Sequence, residues 1–527
     1  MGNSAPTATV LDWLLVGVYM ALMIGAGFYA KRMVKGPEDY FAAGRRMPWW
    51  LAAVSHHMSG YSAFAFVAYA GFAYTAGLTA YIVFAVLCAV GTCIGAFVWA
   101  PRWARLQVLT PVEYLEQRFN NATRQVVAWS GILLKFLDEG AKLFSLAIAV
   151  TVCTGWPMDR IIVVSGVIAV AYVLLGGLWA DAISDFMQCI VQFGVTFLLL
   201  PVALIKVGGW SGLWSHPNAP PFAITSPDWP LERILLYAVV VTLSYSGGTW
   251  GLAQRFYAVK SAADARRAAL FSALLYLLYP LVVLIPVWAA RALLPPLQGA
   301  EADRAYMLMV SHYLAPLLPG VLGLFACSMF AATMSMVDSD INAMAAVFAK
   351  DIYQRQFAPH SSEQRLLLVG LAATTVFGAV TVASALAILW VPGFEGPFNT
   401  VMEYFAGLFA PVSVPLLLGM INRRATWRGA LGALVGGIAA WALCRFWLYP
   451  TWLAPLYPGK GAAWVMSTGV EMVVSFGVFL LDGVISKQTP QEKARVDRLF
   501  AQLDGRAPAA PVAPRTSGGQ PSGNPPA

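Results

Sequence analysis

The stretch LAAVSHHMSGYSAFAF, residues 51–66, sets hydroxyls, two histidines and a glycine inside an otherwise apolar run. A second stretch, TLSYSGGTWGLAQR at 242–255, repeats the pattern with Gly247, Gly248 and Gly251 beside Ser244 and Tyr245. Glycine disfavours helix by ~1 kcal/mol relative to alanine, so both stretches read as local unwinding of a spanning helix. Backbone groups released by unwinding must face protein or a water-filled cavity, because lipid cannot satisfy them. Close packing of helices through small residues is the alternative for either stretch alone. Their matching positions in two halves of the chain favour paired breaks, the pattern of transporter binding sites.

The surrounding composition is that of a membrane protein. The 527 residues are 59% hydrophobic and 11% charged, with a mean hydropathy of +0.66. A soluble chain carries roughly 25% charged residues. A bilayer-spanning helix needs about 20 mostly apolar residues, and thirteen candidate blocks occur: 10–30, 49–74, 78–100, 125–152, 159–178, 183–207, 232–254, 268–290, 319–349, 366–389, 398–420, 428–447 and 463–482. The block 319–349 is too long for a simple span and is expected to tilt, bend or extend beyond the bilayer.

Lys and Arg concentrate in cytoplasmic loops. Alternate loops hold 25 and 7 of them, with Lys135 and Lys142 inside a span; the richer set includes Arg255. This puts the N-terminus outside and the C-terminus in the cytoplasm, in a plasma membrane of bacterial inner-membrane type. The net charge of +8 is therefore topology, and no basic soluble module suggests nucleic acid. The six cysteines fall within spans and lack metal-ligand spacing. Residues 1–9 lack the basic region of a leader, so the first span is expected to be retained. The chain divides into 1–48, a leading helix and cytoplasmic loop; 49–207 and 232–420, two five-helix groups; 428–482, two trailing helices; and 483–527, a cytoplasmic tail disordered from about 505, where Pro, Gly, Ser and Ala dominate.

Four further motifs stand in order: DYFAAGRRMPWW at 39–50, GGLWADAISDFMQ at 176–188, AQRFYAVKSAADARRAALF at 253–271 and AATMSMVDSDINAMAAVFAKDIY at 331–353. Together they resemble the sodium:solute symporter family over residues 10 to about 485. The resemblance implies an all-α polytopic fold of LeuT type, a 5+5 inverted-repeat core with one leading and two trailing helices. It implies sodium entry coupled to uptake of a small polar organic solute by alternating access, with no cofactor and with a functional monomer in the bilayer.

The family's common sodium site maps onto backbone carbonyls of Ser55, Met58 and Ala332, the hydroxyl of Ser335, and Met336. A hard cation wants oxygen and a thioether is soft, so Met336 removes one expected ligand and weakens this site. Asp185 matches an acidic position that some members use for an additional sodium ion, with partners here at Asp338 and Ser339. Ser335, Asp338 and Ser339 share one helix face, and two neighbouring carboxylates would hold a cation or share a proton.

Adjacent His56 and His57 project about 100° apart on a helix and cannot chelate one metal ion together. His57 stands beside the cation-binding backbone, where a histidine could carry a proton at physiological pH; a neutral, hydrogen-bonded core histidine is the alternative. In LLKFLDEGAKLF, 133–144, Lys135 and Glu139, and Asp138 and Lys142, stand four apart and can pair along the helix. An unpaired Glu139 or Lys142 facing a cavity would instead select a charged or hydroxyl-rich solute, and Glu403 is a further candidate for that role. The solute is expected near Gly60, Tyr61, Ser62, Tyr245, Gly247, Gly248, Thr249 and Trp250. The Asn and Lys positions of sugar-transporting relatives hold Thr249 and Tyr276 or a neighbour, so sugar transport draws no support from them. Proton-coupled or uncoupled transport, and a non-transporting solute sensor, are the rival readings. No nucleophile–base pair or metal triad suggests an enzyme.

Overall fold

The computed structural model describes residues 8–390, 406–459 and 461–506. Among these the chain is helical, with two isolated β-bridges and no strand. The main helices are α1 (Val10–Lys31), α2 (Trp49–Met58), α3 (Ala63–Ala76), α4 (Leu78–Val98), α5 (Asn121–Thr154), α6 (Met158–Ala171), α7 (Gly177–Val207) and α8 (Leu231–Leu243). They continue with α9 (Trp250–Tyr257), α10 (Ala262–Leu293), α11 (Val321–Phe357), α12 (Glu363–Ile388), α13 (Ala406–Leu418), α14 (Trp427–Leu453) and α15 (Ala462–Ile485), and α16 (Pro490–Leu503) follows on the surface.

Helix starts follow local chemistry. Thr9 and Asp12 form a capping box at α1, Asn120 accepts from the Thr123 amide at α5, and Thr489 with Glu492 caps α16 ahead of Pro490. Such caps satisfy amides that a helix leaves without partners.

By length and composition, eight helices among the described residues can cross a membrane, or ten if each bent pair is one span. The thirteen expected spans are not all of this kind. The block 49–74 is two shorter helices, α2 and α3, separated by 59–62. The blocks 159–178 and 183–207 are parted by a backbone break at Gly177 rather than by a loop, and 398–420 lies partly outside the described residues, as does Glu403. The long block 319–349 becomes α11, 37 residues. At 1.5 Å per residue that is ~55 Å, well beyond a ~30 Å hydrocarbon core.

The centre is built by α11, which is almost wholly buried and packs on α7 and α5. The leading helix α1 lies against α7 and α11, where Asp12 accepts the Gly323 amide at 2.7 Å. The trailing pair α14 and α15 pack on each other and on α13. Ahead of the segment from about 505, most of which lies outside the described residues, the tail forms a docked helix. In α16, Val496, Leu499, Phe500 and Leu503 are buried against the short helices Ala100–Leu106 and Tyr114–Arg118. Arg105 donates to the Leu503 carbonyl at 2.7 Å, and Gln502 to the Arg105 carbonyl at 2.7 Å.

Candidate solute and cation sites

Both interrupted stretches are broken helices. Residues 59–62 leave helical geometry between α2 and α3. In the second stretch a wide turn over Ser244–Gly248 ends with Gly247 at φ +104° and an extended Thr249, and the chain bends by 47° into α9. That φ is one that side-chain-bearing residues rarely adopt. The two breaks touch: the Tyr245 hydroxyl donates to the Gly60 carbonyl at 3.1 Å, and Tyr276 donates to the His56 carbonyl at 2.6 Å. A Cβ on Gly60 would lie 2.0 Å from the Tyr276 hydroxyl, so only glycine permits this approach. The Ala63 amide donates to Thr333 on α11 at 3.0 Å.

A cavity opens beside the breaks. Gly60, Tyr61, Ser62, Tyr245 and Thr249 line it as expected, and so does Met336. Gly247, Gly248 and Trp250 do not; Gly248 and Trp250 border a smaller neighbouring cavity, with the Trp250 ring against Gly131. Glu139 is also off the wall of the main cavity. Its place there is taken by Lys135, Asp138 and Lys142, with Tyr69, Phe84 and Tyr237 adding rings.

Each of Lys135, Asp138, Glu139 and Lys142 on α5 has an ion-pair partner. Lys142 donates to Asp138 at 2.7 Å and to Glu139 at 2.6 Å. Lys135 donates to Asp138 at 3.1 Å and, across to α11, to Asp340 at 2.6 Å. Asp138, Glu139 and Asp340 lie close enough to hold a metal ion, but two ammonium groups already occupy their midst. The sequence shows the i,i+4 partners and not Asp340, which comes from 205 residues away.

The cation-site residues of the sequence do converge. Asp185 accepts from the hydroxyls of Ser55 and Ser335, and Ser339 bonds Ser59 at 2.9 Å. Met58 and Ala332 are buried on α2 and α11. Two residues missing from the expected set complete the group. Asp181, one turn before Asp185, accepts from Ser339 at 3.0 Å. Arg255 is not a loop charge: it is fully buried and reaches Asp181 at 2.7 Å and Asp185 at 3.2 Å. Asp338 stands apart, buried, with neither carboxylate oxygen hydrogen-bonded among the described residues. The sequence offered a signal for Asp181, four before Asp185 on one helix face, but none for Arg255.

The two histidines differ. His56 bonds Ser272 at 2.8 Å, the core-histidine arrangement. His57 sits among the rings of Tyr61, Phe193, Tyr276 and Tyr279, and neither of its ring nitrogens has a hydrogen-bond partner among the described residues.

With two touching broken helices beside a polar cavity and a converging oxygen cluster, the comparison with known proteins is decisive. The sodium:solute symporter family model matches residues 40–437. The chain belongs to the sodium:solute symporter family. It is 28% identical over 475 residues to a sodium/glucose cotransporter of Vibrio parahaemolyticus, covering 83% of this chain and 86% of the relative. It is 25% identical to the sodium/sialic acid symporter NanT of Aliivibrio fischeri over 443 residues, covering 81% and 86%. Among solved structures, a substrate-bound, outward-open Na⁺-coupled sialic acid symporter matches with a TM-score of 0.76 at 20% identity, over 91% of this chain and 99% of the other. Mhp1, a nucleobase-cation-symport-1 family transporter, matches at 0.55 and 14%, over 87% and 98%. The fold is thus LeuT-type, and the protein is a multi-pass membrane transporter, a sodium-coupled solute symporter rather than an enzyme.

Proposed function

We propose that the transported solute is a small polyhydroxylated molecule, a sugar or sugar acid, held in the cavity between the two helix breaks. The observation that carries this is the wall itself: Lys135, Asp138 and Lys142, already paired with one another, together with Tyr61, Tyr69, Phe84, Tyr237 and Tyr245. Ion pairs offer donors and acceptors side by side, which suits hydroxyls, since each hydroxyl both donates and accepts. The rings offer apolar faces to the C–H faces of a sugar ring. This recognition set differs from the Asn and Lys positions that sugar-transporting relatives use, so their absence does not argue against it. The relatives' own solutes, glucose and sialic acid by name, belong to the same class.

The coupling sodium ion is assigned to the carbonyls of Ser55, Met58 and Ala332 with the Ser335 hydroxyl. The Ser55 and Met58 carbonyls each accept one amide, from Ser59 at 2.8 Å and Tyr61 at 3.0 Å, and a carbonyl has a second lone pair. Met336 supplies no oxygen there, so sodium binding is weak without solute. The charge bias of the loops supports an N-terminus outside and a C-terminus in the cytoplasm. Proton coupling is the second reading, favoured by the unpartnered, buried carboxylate of Asp338.

The test is thermal stabilisation of the purified protein by sugars, sugar acids, amino acids and simple carboxylates, in sodium or potassium at two pH values. A ligand stabilises the state it binds by RT ln(1 + [L]/Kd). Stabilisation by hydroxyl-rich solutes in sodium alone is expected. A response confined to amino acids or simple carboxylates would overturn the solute class. Equal stabilisation in potassium, stronger at acid pH, would move the coupling to protons.

A further inference from the structure

The second helix break is gripped by a side chain that does not line the cavity. A helix that opens at Gly247 takes the following amides away from the carbonyls before the opening. The Ser246 carbonyl is one of these, and the Nε1–H of Trp103 donates to it at 3.2 Å. Trp103 lies on Ala100–Leu106, the short helix that follows α4, and is fully buried. Its ring meets Tyr114 and, at the far end of α9, Tyr257, with centroids 5.9 and 6.3 Å away. A Cβ on Gly247 would collide with the indole, so the glycine that opens the helix is also the one that admits the tryptophan. The turn before is seated on α4 itself. A Cβ on Gly91 would lie 2.9 Å from the Cα of Thr242, and one on Gly95 would lie 3.2 Å from the Cα of Ser246.

The cavity side of the same break carries the solute wall. Ser244 and Thr249 face each other across it, hydroxyl to hydroxyl at 2.8 Å, and both line the cavity with Tyr245. A buried backbone carbonyl left without a donor is costly, so the indole N–H favours opening at this residue over its neighbours. We propose that Trp103 is a positioning residue for transport: its N–H fixes the register at which the second helix opens, and through it the placement of Ser244, Tyr245 and Thr249 against the solute. The inference rests on the reading of this cavity as the solute site and adds the residue that shapes it from behind.

The experiment is hydrogen–deuterium exchange of the full chain in lipid nanodiscs, comparing residues 244–253 with the first break at 57–65. Two replacements of Trp103 remove the donor. Trp103→Phe shrinks the ring, while benzothienylalanine, an isostere with sulfur in place of the N–H, keeps its size. Both are expected to speed exchange at 249–253 by about 2- to 12-fold, the worth of one neutral hydrogen bond, and to leave 57–65 as in wild type. Half-maximal thermal stabilisation by the best binder among the sugars, sugar acids, amino acids and simple carboxylates should then need more solute by a similar factor, with melting in the absence of solute little changed. Wild-type exchange at 249–253 in the isostere would overturn the role of the N–H. Equal acceleration at both breaks would overturn it too, since that marks general loosening. Faster exchange with an unchanged solute requirement would overturn the link to the solute. If no member of the panel stabilises the wild type, the solute reading fails instead, and exchange still decides what Trp103 does at the break.

Discussion

Lys142→Met removes one ammonium from the five-member charge network of α5 and α11. Wild type sets Lys135 and Lys142 against Asp138, Glu139 and Asp340, all buried. Lys142 bridges Asp138 at 2.7 Å and Glu139 at 2.6 Å, with Asp340 at 3.5 Å. Without it, three carboxylates share one ammonium. Removing one partner of a buried ion pair costs about 3–5 kcal/mol, mostly through the charge left behind. With ~2.1 cal/mol/K of unfolding entropy per residue, 527 residues give about 1.1 kcal/mol/K, so the melting temperature should fall by ~3–5 °C. The double variant K142M/E139Q removes one charge of each sign and should recover most of that loss. Thermal melting in detergent with and without solute reads both effects, since Lys142 also lines the cavity and its loss should weaken solute stabilisation. A single variant that melts like wild type, with no recovery in the double variant, would refute the claim that pairing holds this network together.

Met336→Ser restores a hard oxygen at the family's common sodium site; apparent sodium affinity in uptake should rise, and an unchanged value would mean that sodium binds elsewhere. Asp303, in the loop Gly299–Arg304, is raised by burial to about 7. The folded protein therefore keeps a proton that the unfolded chain releases above about pH 4. The stability this confers is complete below that pH and is lost as the pH rises through about 7. D303N should flatten melting temperature against pH between 4.5 and 8, and a slope equal to wild type would count against the assignment.

The helix breaks were legible because glycines next to hydroxyls carry their own physical signature, and both breaks appear where the glycines stand. Half of the α5 network was legible for a similar reason: spacing along one helix is a local property. Asp340 lies on another helix, and no sequence spacing encodes its meeting with Lys135. Arg255 misled because an arginine at the end of an apolar run looks the same whether it turns outward to the cytoplasm or inward to a carboxylate. Glu139 misled in the opposite direction. Its neighbours Lys135, Asp138 and Lys142 reach the cavity wall, and a rotation of 100° per residue leaves Glu139 turned towards Asp340.

The docking of α16 bears on how the protein is made. A chain leaves the ribosome N-terminus first, so Ala100–Leu106 and Tyr114–Arg118 emerge long before the helix that covers them. Until residue 503 has been synthesised, the Leu503 carbonyl that receives Arg105 does not exist. The face formed by these two short helices is thus completed by α16, the last described helix to be translated. A nascent chain carrying every span but not α16 would leave uncovered the face on which Val496, Leu499, Phe500 and Leu503 are buried.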